Sequence, residues 1–434
     1  MTTASVKSQL SIRAKIFLVA VCFQLPMVVL AYFVVDAINY HNWFATLETK
    51  GNAYQTPLMG LLKDVGDHQR LVHHCPAGTD CPSAIAALND DIAKNLQNLK
   101  VVNAKYGNDL EFTGEGLAKR KRQLATRENL EKSWMDLSEM VSKPGSTVSA
   151  DADAKYEAVY NIVNMMITHA GDTSKLILDP DLDTYYTMDI TLLALPQTMN
   201  RVRGMIAGYQ AAVEDGKFSL DEQMKLAADA ALLQTSDIDR IMGDTQTAMN
   251  ENSNEFHSAV DSFQSGMASA SADYSKAATP LAEMTKKLSL ETTPTVTLDE
   301  YTAAAVAAQE QAYKFWTLSS TENSNLFQLR MNFFTHQRNI SLMLSALALA
   351  AATFVAYMMA RSMIVPLNRL SLKLAPGANL LSGTIKQIKD AASKGGDNSQ
   401  MIGIICEELS AHADDMHETA SNLEVLVFGR EMNR

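Results

Sequence analysis

The chain has 434 residues, with 49 acidic against 37 basic side chains and a formal net charge of −12. That balance argues against a nucleic-acid footprint, since Lys119-Arg120-Lys121-Arg122 is short and lies near Glu111, Glu115 and Glu128, as a solvated helix face does. No Gly-rich phosphate loop, nucleophile elbow, zinc-protease helix motif or C-x-x-C-H occurs, so the sequence points away from an enzyme and implies no cofactor.

Residues 1–15 carry Lys7, Arg13 and Lys15, and Ile16–Val35 that follows holds no charge. Twenty helical residues cross a hydrocarbon core of about 30 Å, and a membrane helix tolerates interruptions such as Gln24 and Pro26. The competing reading is a cleaved signal peptide. Its apolar core usually runs about 7–15 residues to small residues, whereas this run is longer and ends on Tyr32-Phe33-Val34-Val35. A retained first span at 16–35 is expected.

Residues 36–339 form the next domain. Pro and Gly are sparse there, and hairpin dipeptides flanked by alternating apolar residues are lacking. After Tyr54, the residues Leu58, Leu61, Leu62 and Val65 repeat at helical spacing, and similar stripes run through 88–101, 124–141, 159–178 and 182–213. Ser219-Leu220-Asp221-Glu222 and Thr297-Leu298-Asp299-Glu300 are capping boxes that mark helix starts. Asp179-Pro180-Asp181 breaks one helix and suits the start of the next. The fold class expected is all-α: an antiparallel bundle of six or more helices, its first and last members continuous with the spans.

Ile340–Met359 is the second uncharged run, with a buried core helix as its alternative reading. Lys7, Arg13 and Lys15 before the first span, and Arg361, Arg369 and Lys373 after the second, place both termini in the cytoplasm, although Arg338 lies on the outer side. Residues 36–339 would then be extracytoplasmic, 360–380 a linker and 381–434 a cytoplasmic helical tail.

Of the four cysteines, Cys22 falls in a span and Cys406 in the tail, while Cys75 and Cys81 share a short Pro/Gly-containing outer loop. An oxidising compartment would keep a Cys75–Cys81 disulfide. A metal site using His73, His74 and a thiolate, for which the spacing matches no usual zinc pattern, and unpaired thiols are the alternatives. Helical sensor bundles seat small ligands between helices. Arg201 and Arg203, on the helix after Tyr185-Tyr186, with His68 and Arg70 on the first helix, are candidates to clamp a carboxylate, and Tyr185 is a fifth ligand-binding candidate; solvated faces or pairing with Asp and Glu compete with the arginine reading. Met165, Met166 and the other methionines read as core fillers.

From Phe44 through Lys373 the chain resembles a bacterial methyl-accepting chemotaxis receptor with a helical extracytoplasmic sensor domain. The resemblance rests on 48–54 (ETKGNAY) with Pro57-Leu58, and on 176–189 (LILDPDLDTYYTMD), which is similar to a motif also found in some sensor histidine kinases. Arg361, Pro366 and Leu367 match the start of a HAMP linker, after which Ala375-Pro376-Gly377 is expected to break the helix. The long kinase-control hairpin of the family has no counterpart, as in a receptor shortened by deletion or frameshift. The tail 401–413 is similar to a methylation helix, which would make Glu407 and Glu408 methyl acceptors; an ordinary amphipathic coiled-coil helix is the alternative.

The resemblance implies an inner-membrane signal transducer, homodimeric through its small-residue second span and HAMP-like stalk. Its partners would be a small-molecule ligand, the membrane, other chemoreceptors or a kinase array, and no nucleic acid. The alternative is a membrane-anchored accessory or scaffold protein that acts through intact receptors.

Overall fold

The computed structural model describes residues 11–76, 78–142, 150–214, 216–252, 260–392 and 399–428; Lys7 lies outside them. Of the described residues 89% are helical and none lies in a strand. It divides into two compact units, Tyr40–Thr335 and the pairing of Met1–Asn39 with His336–Arg434. Two helices, α1 (Ile12–His73) and α11 (Leu298–Ala392), contribute residues to both.

In the Tyr40–Thr335 unit, the apolar stripe of α1 is the organising face. Tyr54, Leu58, Leu61, Leu62 and Val65 are all buried, and each Leu or Val contributes about 1.5–3 kcal/mol by leaving water. Helix α2 (Cys81–Tyr106) starts at Asp80, whose side chain accepts from the Ser83 N–H. Short α3 (Gly114–Lys119) and α4 (Arg127–Val141) start at Thr113 and Thr126. Leu124 falls outside α4 and is exposed, because the Thr126 hydroxyl accepts from the Asn129 N–H and starts the helix there. Helix α5 (Ala150–Thr173) gives way to a 3₁₀ turn at Leu176–Leu178, and Asp179-Pro180-Asp181 leads into α6 (Leu182–Met188). Pro180 sits one residue ahead of the N-cap Asp181 rather than inside the first turn.

A π turn, Asp189–Ala194, joins α6 to α7 (Leu195–Glu214), and a second, Leu233–Asp239, joins α8 (Leu220–Leu232) to α9 (Arg240–Asn252). The Ser219 box forms in full at the start of α8, and the Thr297 box forms at α11, where the Thr297 N–H donates to Glu300 at 2.9 Å. Helix α10 (Asp261–Leu288) completes the unit. Tyr156, Tyr209, Tyr274, Tyr301, Phe315, Trp316 and Phe327 fill one continuous core with the α1 face. Buried Trp316 satisfies its indole N–H on the Thr191 carbonyl at 2.9 Å.

In the other unit the apolar runs stay open to their surroundings: Phe17, Phe23, Leu30, Leu347 and Phe354 are each more than half exposed. Both helices carrying them are long and apolar enough to cross a membrane. Gln24 donates to the Thr353 hydroxyl at 2.9 Å, so the interruption of the first run is matched by one in the second. The helix break expected at Ala375-Pro376-Gly377 does not occur, since α11 continues to Ala392. A proline inside a helix removes one hydrogen bond, to the carbonyl four residues back, and kinks rather than stops an otherwise supported helix. That carbonyl belongs to Leu372, which is exposed. Beyond Pro376, Leu381 and Ile385 pack against Ile402, Cys406, Leu409 and Ala413 of α12 (Ser399–Phe428).

Candidate functional site

The five residues proposed to hold a ligand are not brought to one place. His68 is fully buried, its Nδ1 lies 2.6 Å from the Tyr156 hydroxyl, and its ring meets Trp134 edge-on. Burial pushes its pKa down to about 4, so it is a neutral imidazole in the core rather than a cationic clamp. Arg201 donates Nε to the fully buried carboxylate of Asp237 at 2.7 Å. Tyr185 is exposed and packs edge-on against Tyr186.

Arg70 and Arg203 do converge. They line one cleft of about 20 Å³ with Gln69, His73, Gln210 and Gln309, room for about one water molecule. Arg203 lies 4.0 Å over the Tyr160 ring and pairs with Glu157 at 2.7 Å; Arg70 pairs with Asp67 at 3.2 Å. The Nε atoms of both arginines are buried without a partner. A roomier cleft of about 260 Å³ opens at the start of α4, lined by Asn103, Phe112, Gln123, Thr126, Arg127 and Glu128. Its residues come from three separated stretches, which is why no motif marks it in the sequence.

The strongest concentration of buried charge lies elsewhere, where the two sequence segments that carry the family resemblance meet. Arg330 of α11, 2% exposed, donates to Glu48 of α1 at 3.0 Å and to Asp179 at 3.1 Å. Its Nε lies 2.5 Å from Asp181, and the Thr184 hydroxyl accepts from the same Nη2 that donates to Asp179. Burial lowers the affinity of Arg330 for its proton, but the carboxyls of Asp179, Glu48, Asp181 and Asp183 outweigh that and raise it. Burial first, then the neighbouring Asp179, pushes the Glu48 carboxyl up to about 10; burial also raises Asp179 and Asp181. Glu48 is therefore a neutral acid at neutral pH, beside Asp179 on the same guanidinium. Asn52, one turn along α1, donates to the Ser320 carbonyl and the Ser324 hydroxyl of α11 at 2.6 and 2.8 Å.

The other end of the same motif repeats the arrangement. Arg240 grips Asp189 with two hydrogen bonds, 2.8 Å from Nε and 2.6 Å from Nη2, and Asp244 lies 3.8 Å from the same guanidinium. Burial and the Asp189 carboxyl push Asp244 up to about 7.

Cys75 and Cys81 are joined in a disulfide with Cα atoms 6.0 Å apart. His74 pairs with Asp299 and His73 with Asp153. No cluster of three metal-ligating side chains occurs among the described residues. Glu407 and Glu408 are exposed on α12, beside Cys406, which faces α11. Comparison with family models, curated proteins and solved structures returns no match for this chain.

Proposed function

We propose that the chain is a transmembrane signal transducer of the chemoreceptor type, with Tyr40–Thr335 as an extracytoplasmic helical sensor, both termini cytoplasmic, and a homodimeric stalk. One observation carries the reading. Helix α11 supplies core residues Tyr301–Phe327, the buried Arg330, the uncharged run Ile340–Met359 and the face that α12 covers, without a break. A shift at the sensor end of such a helix would be passed along its axis, and transmission of that kind requires no catalytic residues and no cofactor.

The ligand proposed is a small polar molecule, seated either at the Arg70–Arg203 cleft after it widens or in the roomier cleft at α4. Exposed Leu370, Leu372, Leu380, Ile404 and Ile405 on α11 and α12 supply apolar surface that a second copy would cover. The same surface favours the second reading, an accessory protein that pairs with intact receptors. Methyl esterification of Glu407 and Glu408 would remove two charges from that surface.

The test is thermal-shift screening of the full chain in lipid nanodiscs against organic acids, amino acids and amines, since a ligand of the folded state stabilises it by mass action. A hit should lose its effect in Arg203→Ala or in Gly114→Leu. The latter fills the roomier cleft at a position where an added Cβ meets nothing within 4 Å. A panel with no stabilising compound, together with a monomeric chain in nanodiscs, would overturn the proposal.

A further inference from the structure

Two carboxyl pairs, each bridged by one arginine, bracket the segment from Asp179 to Asp189. In the first, Glu48 is 0% exposed, and its Oε1 has no N–H or O–H partner from another residue; neither has Asp179 Oδ2. The two acids share one guanidinium, Glu48 3.0 Å from Nη1 of Arg330 and Asp179 3.1 Å from Nη2. Two bare carboxylates buried on one guanidinium repel, and a proton on one of them relieves that repulsion. The charges that face this pair are His41 and Glu48 from α1, Asp179 and Asp181 from the turn, Asp183 from α6 and Arg330 from α11. Carboxyls outnumber cations, so full ionisation would leave uncompensated negative charge in the core, at a cost burial makes severe.

In the second pair, Asp189 of the first π turn meets Asp244 of α9 across Arg240, and Asp244 Oδ2 is buried without a hydrogen-bond partner. The facing charges are Arg240 itself and Asp237 of the second π turn, which Arg201 of α7 already engages. The π turn that carries Asp189 packs on α9, as α6 just before it does.

We propose that the Asp179–Asp189 segment is a proton-binding element, with one proton held between Glu48 and Asp179 and a second on Asp244 where it faces Asp189. The chemistry is reversible protonation from bulk water: a carboxylate takes up a proton, and the acid formed donates to its neighbour. When the second site is emptied, Asp189 and Asp244 are both anionic beside one guanidinium, and repulsion loosens α6 from α9. When the first is emptied, Glu48 and Asp179 repel and the tie from α1 to α11 weakens. The inference stands on the buried geometry and is independent of the signalling role proposed above.

The sign follows from linkage. Asp244 and Glu48 both hold their protons more tightly in the folded chain than as free side chains. Their stabilisation is therefore full in acid and is lost as pH rises, through about 7 for Asp244 and about 10 for Glu48. Infrared difference spectra of the full chain in nanodiscs, titrated from acid to alkali, read protonated carboxyls directly and are blind to imidazole. A carboxylic-acid C=O band should be lost in two steps, the near-neutral step missing in Asp244→Asn and the alkaline step missing in Glu48→Gln. The melting temperature of the native chain should fall across each step, and each variant should flatten its own. Should either variant fail to fold, Asp189→Asn and Asp179→Asn shift the same steps to lower pH from the partner side. A single step supports only the site whose variant abolishes it and overturns the other; no band, or steps unmoved by all four variants, overturns the element.

Discussion

Replacing Arg330 would leave the carboxyls of Glu48, Asp179 and Asp181, from α1 and the turn before α6, facing one another without the guanidinium. Arg330→Met in the full chain should cost about 3–5 kcal/mol, the usual loss on breaking a buried ion pair from one side, read from the denaturant midpoint. Glu48→Gln should be close to neutral in acid and stabilising in alkali, because it keeps the shape and removes the need for a proton. Gly51 is a close approach rather than a flexible joint: a Cβ there would lie 2.2 Å from the Ser174 hydroxyl oxygen. Gly51→Ala should therefore cost about 1–3 kcal/mol as overpacking. At this scale the sequence was half legible. Glu48, Asp179, Asp181 and Asp183 all fall in the segments that carry the resemblance, but no periodicity ties them to position 330, since that contact exists only once α1 and α11 lie side by side. Arg70 and Arg203 were legible as candidate carboxylate clamps, but their convergence on one cleft was not. The burial of His68 was not, because it depends on Trp134 and Tyr156, which lie far along the chain.

Helix starts were readable where side chains close them locally. Both capping boxes form, and Thr126→Ala, which removes the hydroxyl that accepts from Asn129, should cost about 1 kcal/mol. Helix stops were less readable, since Pro376 passes through α11 and Pro280 through α10. A proline's effect depends on whether the carbonyl it frees has another partner. The disulfide belongs to this scale too, because it ties the end of α1 to the first residue of α2. Cys75→Ser should lower stability by about 2–3 kcal/mol on the loop-entropy account; an unchanged melting temperature in non-reducing conditions would show that the bond constrains nothing. The π turns left no trace in the pattern, since one surplus residue only shifts the phase of an apolar stripe.

The whole chain should show far-UV circular dichroism of nearly pure helix, as the described residues do. If it pairs with itself through the second span, cysteines placed singly along Leu342–Ala356 should crosslink between copies with helical periodicity. Ser345, Ala346, Ala348, Ala350, Ala351 and Ala352 are small enough for close approach, and uniform failure in native membranes would exclude that arrangement. Helical class and the two apolar runs were legible because hydropathy and spacing are local properties; how the helices pair was not, because it is decided by side chains far apart in sequence. The π turns carry one more consequence. Each is a detent, a place where the helical thread holds a residue too many. Squeezing that residue out of Asp189–Ala194 would rotate α7 by about 100° and advance it by about 1.5 Å, carrying Arg203 off the Tyr160 ring and Arg201 off Asp237 in one movement.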